Sequence, residues 1–243
     1  MIGILCATPE ELAALRAALG LDAAPQVHGA IQVWAADGVA LARSGLGKVN
    51  AASAATLLLD RFGARTLVFS GVAGGLHPEL PVGSVLLAQA LAVHDYGIVS
   101  AGRFTATRSG VIPFGAPELA ALEPVAAEVR ATFQRLLEQV APALAHPVRM
   151  GGITTADYFL NCGATRDELR ARLGADAIDM ESGAVALVAE AWGAPLYVIR
   201  TLSDLAGAES HLTFNEMEAM AARNSAACVK ALLGLLAEQP ASS

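Results

Sequence analysis

Three carboxylates occupy comparable positions in the sequence, each just after a short apolar segment. Glu11, Glu181 and Asp204 all stand where a strand-like run gives way to a loop or a helix. Ligands of open α/β sheets bind beyond the carboxyl ends of the strands, so we expect the three side chains to face one pocket. Carboxylates held together in a pocket can act as a general acid and a general base.

Each of the three carboxylates also has a structural explanation. Glu11 suits the third helical position of a capping box opened by Thr8, and Glu181 would be favoured by the positive end of the following helix. Asp204 could accept a hydrogen bond from the backbone of Ala206 in an Asx-turn. Any one of them is accounted for in this way, but three at successive strand exits favour a functional site.

Two glycine-rich segments match nucleotide-binding loops only in part. Residues 44–48 (SGLGK) suggest a phosphate loop, yet Ala42 replaces its first glycine and Val49 replaces its Ser or Thr. Residues 71–75 (GVAGG) lack the G-x-G-x-x-G spacing of dinucleotide sites. We therefore expect these glycines to let the backbone approach a ligand closely.

Composition narrows the class of protein. The chain has 243 residues, 54% of them hydrophobic and 16% charged, which predicts a thick core and little disorder. A net charge of −7 disfavours nucleic-acid and anionic membrane partners, which need clustered Lys and Arg. No signal peptide or membrane-length apolar run is visible, and the three scattered cysteines suit a reducing cytoplasm. Their spacing matches no zinc site, and we expect neither a metal nor a cofactor.

Strands alternating with helices predict a single α/β domain over residues 1–243, in which a mixed, twisted β-sheet is flanked by helices on both faces. One helix should begin after the N-cap Thr8, and another at the Thr-x-x-Glu box of Thr213. Residues 97–117, rich in Gly, Ser, Thr and Pro, are predicted to form a long functional loop. The predicted strands are 2–7, 27–35, 39–44, 66–70, 82–93, 149–154, Ala177–Asp179 and 196–202, and the other predicted helices are 50–62, 118–144, 165–173 and Ser182–Trp192.

The chain resembles a known family at the same segments that carry the carboxylates. It is similar to the 5′-methylthioadenosine/S-adenosylhomocysteine nucleosidases of the nucleoside phosphorylase and nucleosidase superfamily. The resemblance implies a nucleoside phosphorylase-like fold, a homodimer, and hydrolysis of an adenine nucleoside with water as co-substrate. The matching segments are residues 2–11, 44–57 (SGLGKVNAASAATL), 71–76 (GVAGGL), 94–95 (HD), 157–161 (DYFLN), 178–182 (IDMES) and 200–214 (RTLSDLAGAESHLTF).

The resemblance also implies roles for individual residues. Glu11 looks like the base that activates the attacking water, and Asp204, steadied by Ser203, looks like the acid at N7 of adenine. Glu181 looks like the carboxylate that grips the ribose hydroxyls, with Met180 beside it. The other implied substrate-binding residues are Arg200 at the water and the sugar, Phe159 stacked on the base, Leu160 pairing with the base edge, Phe214 near the sugar and 5′ substituent, and Val72 near the water.

These roles are chemically consistent. Adenine is a poor leaving group as an anion, so a proton must reach N7 as the C1′–N9 bond breaks. The sugar then resembles an oxocarbenium ion, and a water must be deprotonated on its opposite face, which is the logic of inverting glycosidases. Asp204 can hold a proton near neutral pH only if its pKa is raised, as desolvation does.

A phosphorylase is the nearest alternative activity. It would need a cationic phosphate cradle, to which Arg43 and Lys48 could contribute. Glu11 disfavours it, because a carboxylate would repel a phosphate held a few ångströms away. A nucleoside-binding protein without catalysis is a further alternative, disfavoured because plain binding requires neither an acid nor a base.

A futalosine-type or aminofutalosine-type nucleosidase of menaquinone synthesis is also open. Thr8-Pro9, residues 48–51 (KVNA) and Val72 resemble those enzymes, and Val72 replaces the Ser that the closest nucleosidases carry. Asp204 favours an adenine base, which aminofutalosine retains. Residues 96–114 depart from the family pattern, so the sequence leaves open whether the substrate is methylthioadenosine, S-adenosylhomocysteine or 5′-deoxyadenosine.

Overall fold

A computed structural model describes residues 1–238 of the chain and shows one continuous, mixed β-sheet with helices on both faces, as predicted. The strand order across the sheet is β11-β10-β6-β12-β5-β1-β4-β3-β2, with β9 paired to β6. The strands are β1 (Ile2–Cys6), β2 (Gln26–His28), β3 (Ile31–Ala36), β4 (Val39–Arg43), β5 (Thr66–Gly75), β6 (Val85–Val93), β7 (Gly97–Ser100), β8 (Arg103–Ala106), β9 (Glu123–Pro124), β10 (Val148–Thr155), β11 (Ala177–Asp179) and β12 (Leu196–Asp204). The helices are α1 (Pro9–Leu19), α2 (Lys48–Asp60), α3 (Ala127–Val140), α4 (Gly163–Leu173), α5 (Ser182–Trp192) and α6 (Ser210–Ala237).

The centre of the sheet consists of parallel strands buried on both faces. β1 and β12 each pair in parallel with β5, and all nine residues of β12 are buried. Such strands read as continuous apolar runs because helices cover both of their faces. Their carboxyl ends meet at one edge of the sheet, which is where the polar segments of the sequence are collected.

Two apolar layers fasten five of the six described helices to the sheet. One layer packs α2 and α5 on one face, with Ala51, Leu58 and Val185 among its buried side chains. The other packs α1, α3 and α6 on the opposite face, around residues such as Phe133 and Leu232. Ala51, Ala54 and Ala55 of α2 and Ala189 of α5 are buried in the first layer, and these small side chains let α2 and α5 lie close to each other. Within residues 1–238, no helix is both long and apolar enough to cross a bilayer.

The start of α1 follows its sequence signal closely. The Thr8 hydroxyl accepts a hydrogen bond from Glu11 N at 3.2 Å, and the Glu11 carboxylate accepts one from Thr8 N at 3.1 Å. This reciprocal capping box and Pro9 at the first helical position confirm the predicted helix start. The box also fixes the direction of the Glu11 side chain, which links local structure directly to the site.

Two stretches between β6 and β10 differ from the prediction. Residues 97–117, predicted as a loop, contain the antiparallel hairpin β7–β8. The helix predicted over residues 118–144 begins only at Ala127, because the preceding residues form β9 and pair with β6. Pro124 lies in that short strand, where its missing N–H and fixed φ are tolerated.

The last helix begins earlier than the Thr213 box predicts. α6 starts at Ser210, and the N-cap Glu209 has φ 68° in the left-handed region. A contact from a distant segment sets this start, since Ser210 N donates to Asn161 Oδ1 at 2.9 Å. Thr213 therefore lies inside the helix, and the Thr-x-x-Glu pattern is not its cap.

Candidate active site

A pocket of about 370 Å³ opens at the carboxyl ends of the central strands. It brings together every predicted site residue except Arg200, which lies behind its wall. Sequence reasoning did not single out several other lining residues, because long-range packing rather than local pattern places them there. The pocket is lined by Ala7, Thr8, Glu11, Leu46, Val72, Ala73, Gly74, Tyr158, Phe159, Leu160, Ile178, Asp179, Met180, Glu181, Ser203, Asp204, His211, Phe214 and Asn215.

Glu11 is held by three backbone N–H groups in addition to its helix position. Its Oε2 accepts from Ala7 N at 2.6 Å and from Thr8 N, and its Oε1 accepts from Val72 N at 2.9 Å. Burial raises the pKa of Glu11, although Arg200 and these backbone donors act in the opposite direction. A buried carboxylate with a raised pKa and a fixed orientation is suited to accept a proton.

Gly71 allows the Glu11 carboxylate to lie against β5. A Cβ built on Gly71 would collide with both the Glu11 carboxylate and the Arg200 guanidinium. The glycine is therefore required for close approach of side chains to the backbone, and this strand residue needs no unusual φ. We expected the glycines of residues 71–75 to let a ligand approach the backbone closely. At Gly71, the groups that approach the backbone are the protein's own Glu11 and Arg200 side chains.

Arg200 lies in a buried cluster of charges beneath the pocket. Its side chain is 0% exposed, and its guanidinium lies 4.0 Å from the centroid of the Phe69 ring. Its Nε and Nη2 contact Asp179 Oδ2 at 2.9 Å, and Nη2 contacts Glu181 Oε2 at 3.4 Å. The resemblance implies direct contact of Arg200 with water and sugar, whereas the structure places it one layer below, bonded to the carboxylates.

Asp179 is a residue of this cluster that sequence reasoning did not select. Its carboxylate accepts hydrogen bonds from Thr155 Oγ1 at 2.6 Å and from Ser182, besides those from Arg200. Its position as the last residue of β11, directly before the Met180-Glu181 pair, was the available signal. Its partners come from β10, α5 and β12, which no local pattern reveals.

Glu181 connects the charge cluster to the pocket. Its Oε1 accepts from Gly47 N at 2.9 Å, and its Oε2 contacts Arg200. Burial raises the pKa of Glu181 to about 7, Arg200 lowers it, and the neighbouring Asp179 charge raises it. The structural explanation offered for Glu181 was the positive end of the following helix, α5. Asp179 caps that end instead, because its carboxylate accepts a hydrogen bond from Ser182 N at 3.2 Å.

Asp204 ends β12 and sits beside a glycine of β5. Its Oδ1 accepts from Ala206 N at 2.8 Å, which forms the predicted Asx-turn, and Ser203 Oγ donates to its Oδ2 at 3.1 Å. A Cβ on Gly74 would lie 3.2 Å from Asp204 Oδ1. Desolvation raises the pKa of Asp204 despite these hydrogen bonds, which favours the protonated form that a general acid needs.

The aromatic side of the pocket is formed by two separate segments. The Phe159 and Phe214 rings meet edge to face with their centroids 5.8 Å apart. Phe159 remains 45% exposed, so part of its side chain is available for contact with a ligand. The neighbouring Tyr158 OH bonds His94 Nε2, and His94 Nδ1 bonds Thr154 Oγ1, so His94 ties the segment after β10 to the sheet.

A second, larger cavity of about 460 Å³ lies between α5 and residues 108–129. None of the predicted site residues lines it. Arg108 stands at this cavity and pairs with Glu123 at 2.7 Å and with Glu190 at 3.2 Å. Its walls carry no carboxylate held by a network of buried donors, so the smaller pocket is the candidate active site.

Comparisons with known proteins show the family of the chain. The Phosphorylase superfamily matches residues 1–234. The chain is 40% identical over 249 residues to the 5′-methylthioadenosine/S-adenosylhomocysteine nucleosidase of Mycobacterium bovis, with 97% of each chain covered. It is 34% identical over 186 residues to the aminodeoxyfutalosine nucleosidase of Campylobacter jejuni, with 76% of each chain covered.

A solved structure extends the likeness to the fold. The 5′-methylthioadenosine/S-adenosylhomocysteine nucleosidase from S. pneumoniae, solved with a transition-state inhibitor, superposes with a TM-score of 0.81. It is 29% identical, and the match covers 97% of this chain and 99% of that chain. The chain therefore belongs to the Phosphorylase superfamily and, within it, to the 5′-methylthioadenosine/S-adenosylhomocysteine nucleosidases, a family of N-glycosidic hydrolases.

Proposed function

We propose that the protein hydrolyses the N-glycosidic bond of a 5′-substituted adenine nucleoside, releasing adenine and the free 5′-substituted ribose. The substrates we expect are methylthioadenosine, S-adenosylhomocysteine and 5′-deoxyadenosine. The observation that carries the proposal is that Glu11 and Asp204, two carboxylates with raised pKa values, line one pocket. An acid and a base in one pocket are what departure of a nucleobase and attack by water require.

Asp204 is the proposed acid for the leaving group. Its protonated carboxyl donates to N7 of adenine as the C1′–N9 bond breaks, so that adenine leaves as a neutral base. Ser203 and the backbone N–H of Ala206 hold the carboxyl in place. Phe159 and Leu160 both line this pocket, and we place the planar base against the Phe159 ring with its edge at the Leu160 backbone.

Glu11 is the proposed base for the attacking water. Three backbone donors fix its carboxylate, and burial raises its pKa toward the range in which a base is effective. The water gains its nucleophilicity by losing a proton to Glu11 as it bonds to C1′. Attack opposite the departing base inverts the configuration at C1′.

Glu181 and the charges behind it suit a cationic sugar. Glu181 is the proposed hydrogen-bond acceptor for the ribose hydroxyls, with Met180 beside it. The buried cluster holds Arg200 against Asp179, Glu181 and, more distantly, Glu11, so carboxylates outnumber the one cation. Fixed negative charge stabilises an oxocarbenium-like transition state more than the neutral substrate.

The same charges disfavour a phosphorylase. Among the residues that the structure describes, no lysine or arginine side chain lines the pocket. Lys48, which could have joined a phosphate cradle, pairs instead with Asp95 at 2.5 Å. The N–H groups of Gly47 and Lys48 at the start of α2 donate to Glu181 and Asp157, so protein carboxylates already occupy these anion-binding positions.

Aminofutalosine remains a second candidate substrate, favoured by the likeness to the Campylobacter jejuni aminodeoxyfutalosine nucleosidase. We also propose a cytoplasmic homodimer. The apolar side chains of Val99, Phe104, Ile112 and Phe114 are exposed on and beside the β7–β8 hairpin, and a second copy would cover them. Light scattering of the purified protein tests the dimer.

Adenine release in phosphate-free buffer tests the activity. Methylthioadenosine, S-adenosylhomocysteine, 5′-deoxyadenosine and aminofutalosine are each incubated with the protein, and the products are separated by chromatography. We expect adenine and the free sugar from at least one of the first three. Release that depends strictly on added phosphate would replace the hydrolase with a phosphorylase.

A further inference from the structure

A ring of contacts joins three elements next to the candidate active site. Lys48 Nζ lies 2.5 Å from Asp95 Oδ1 and 3.6 Å from Asp157 Oδ2. The Lys48 backbone N–H donates to Asp157 Oδ1 at 2.8 Å, and the Asp157 backbone N–H donates to Asp95 Oδ2 at 2.9 Å. Lys48 therefore connects three elements, which are the start of α2, the end of β6 and the segment after β10.

Two of these elements carry substrate-binding groups. Asp157 opens the segment that presents Phe159 and Leu160 to the pocket. Gly47, directly before Lys48, donates its N–H to Glu181 Oε1 at 2.9 Å. The Lys48 contacts therefore adjoin the segment that carries Phe159 and a hydrogen-bond donor to Glu181, the proposed ribose carboxylate.

Charge makes Lys48 the controlling member of the ring. Its side chain is 23% exposed, and it separates two carboxylates whose side chains are 22% and 47% exposed. Without the ammonium, Asp95 and Asp157 would face each other as like charges at a partly buried site. Their repulsion would oppose the hydrogen bond from Asp157 N to Asp95 and release the segment that carries Phe159.

We propose that Lys48 is a positioning residue. Through Asp95 and Asp157, it holds the segment that carries Phe159 and the Gly47 N–H in the positions seen in the structure. Its effect on catalysis rests on the proposed function, but its effect on the fold of residues 157–160 does not. Lys48, Asp95 and Asp157 do not line the pocket, so Lys48 acts through Phe159 and Glu181 rather than on the substrate.

Four variants test the proposal. Lys48→Met removes the charge, Lys48→Arg keeps it, and Lys48→Met combined with Asp95→Asn removes the charge and the repulsion together. The chain has one other lysine, Lys230, which is exposed on α6. Lys230→Met makes the same substitution, with the same loss of charge, away from the site and serves as the control. Hydrogen exchange of the amides of Lys48 and Asp157, together with steady-state kinetics, is measured for each folded variant.

We expect faster amide exchange at both positions in Lys48→Met. KM should rise about tenfold, because the Phe159 ring binds substrate and transition state alike, and kcat should fall by a smaller factor, because the Gly47 N–H that bonds Glu181 also shifts. Lys48→Arg and the double variant should recover most of both properties. Lys230→Met should match the unmodified protein in exchange and kinetics.

The outcomes separate the two proposals. If the amides of Lys48 and Asp157 exchanged hydrogen as slowly in Lys48→Met as in Lys230→Met, the positioning role would be overturned. A fall in kcat at constant KM in Lys48→Met would also overturn it. A double variant as impaired as Lys48→Met would overturn the charge argument. If the unmodified protein cleaved no adenine nucleoside, the proposed function would fail, and the exchange measurement would still decide the role of Lys48.

Discussion

The Arg200 guanidinium and the Glu11 carboxylate converge on the same space beside Gly71, and either would collide with a Cβ at that position. Arg200 reaches this space from β12, and Glu11 reaches it from the first turn of α1. The positions of the Glu11 side chain and of Arg200, which lowers the Glu11 pKa, therefore depend on the absence of a Cβ at residue 71.

Gly71→Ala should displace both side chains. A misplacement of about 1 Å at a catalytic group costs on the order of 100-fold in rate, and we expect kcat/KM to fall by about that factor. The control is Gly234→Ala on α6, where a Cβ would meet nothing within 4 Å. Gly234→Ala should leave activity unchanged and keep or raise the melting temperature. Equal activities of the two variants would show that the Gly71 contact does not matter.

Asp204→Asn should lower kcat by about 10²- to 10⁴-fold, since the amide cannot donate a mobile proton to the leaving base. The amide oxygen can still accept from Ala206 N, so we expect the melting temperature to change little. Asp22→Asn, a change of the same type at an exposed position, is the control. Retention of most turnover by Asp204→Asn would refute its role as the acid.

Glu11→Gln should also lower kcat by about 10²- to 10⁴-fold, because the amide cannot take a proton from water. Glu10→Gln, at the exposed neighbouring position of the same helical turn, is the matched control and should be fully active. Comparable kcat values for Glu11→Gln and Glu10→Gln would exclude Glu11 as the base. Thermal denaturation checks that the capping box still forms.

The raised pKa of Glu181 predicts a pH dependence of both stability and binding. Because its pKa in the fold is about 7 rather than 4.5, the folded state binds more protons than the unfolded state between these values. The contribution of Glu181 to the free energy of unfolding is therefore fully present at low pH and is lost as pH rises through about 7. Glu181→Gln should flatten that part of the stability profile, which urea denaturation at several pH values measures.

Substrate binding should follow the opposite trend, since ionised Glu181 is the proposed acceptor of hydrogen bonds from the ribose hydroxyls. Calorimetry with the Asp204→Asn variant measures binding without turnover. We expect affinity to weaken as pH falls from about 8 to about 6, and to be insensitive to pH in that range when Glu181→Gln is added. Affinity independent of pH in both proteins would contradict the role of ionised Glu181.

The sequence was most informative where signals are local. The Thr8 cap, the apolar strands and the polar residues at their ends predicted where Glu11, Glu181 and Asp204 would meet. Local signals failed where distant segments compete with them. Pairing with β6 replaces the first turns predicted for α3, and Asn161 moves the start of α6 to Ser210.

The supporting layer of the site was the least predictable part. Glu181 receives its hydrogen bond from Gly47, which is 134 residues away in the chain, and Asp179 meets partners from three elements. No spacing rule connects residues so far apart. The resemblance associated Arg200 with the site, but only the three-dimensional structure places its side chain behind the pocket wall, in contact with Asp179 and Glu181.

The most direct test of the mechanism identifies the nucleophile. The protein is incubated with methylthioadenosine in ¹⁸O-labelled water that also contains phosphate, and the sugar product is analysed by mass spectrometry. Attack by water activated by Glu11 predicts that the free sugar carries one ¹⁸O atom at C1′ and that no sugar phosphate forms. A sugar 1-phosphate product without the label would contradict the account.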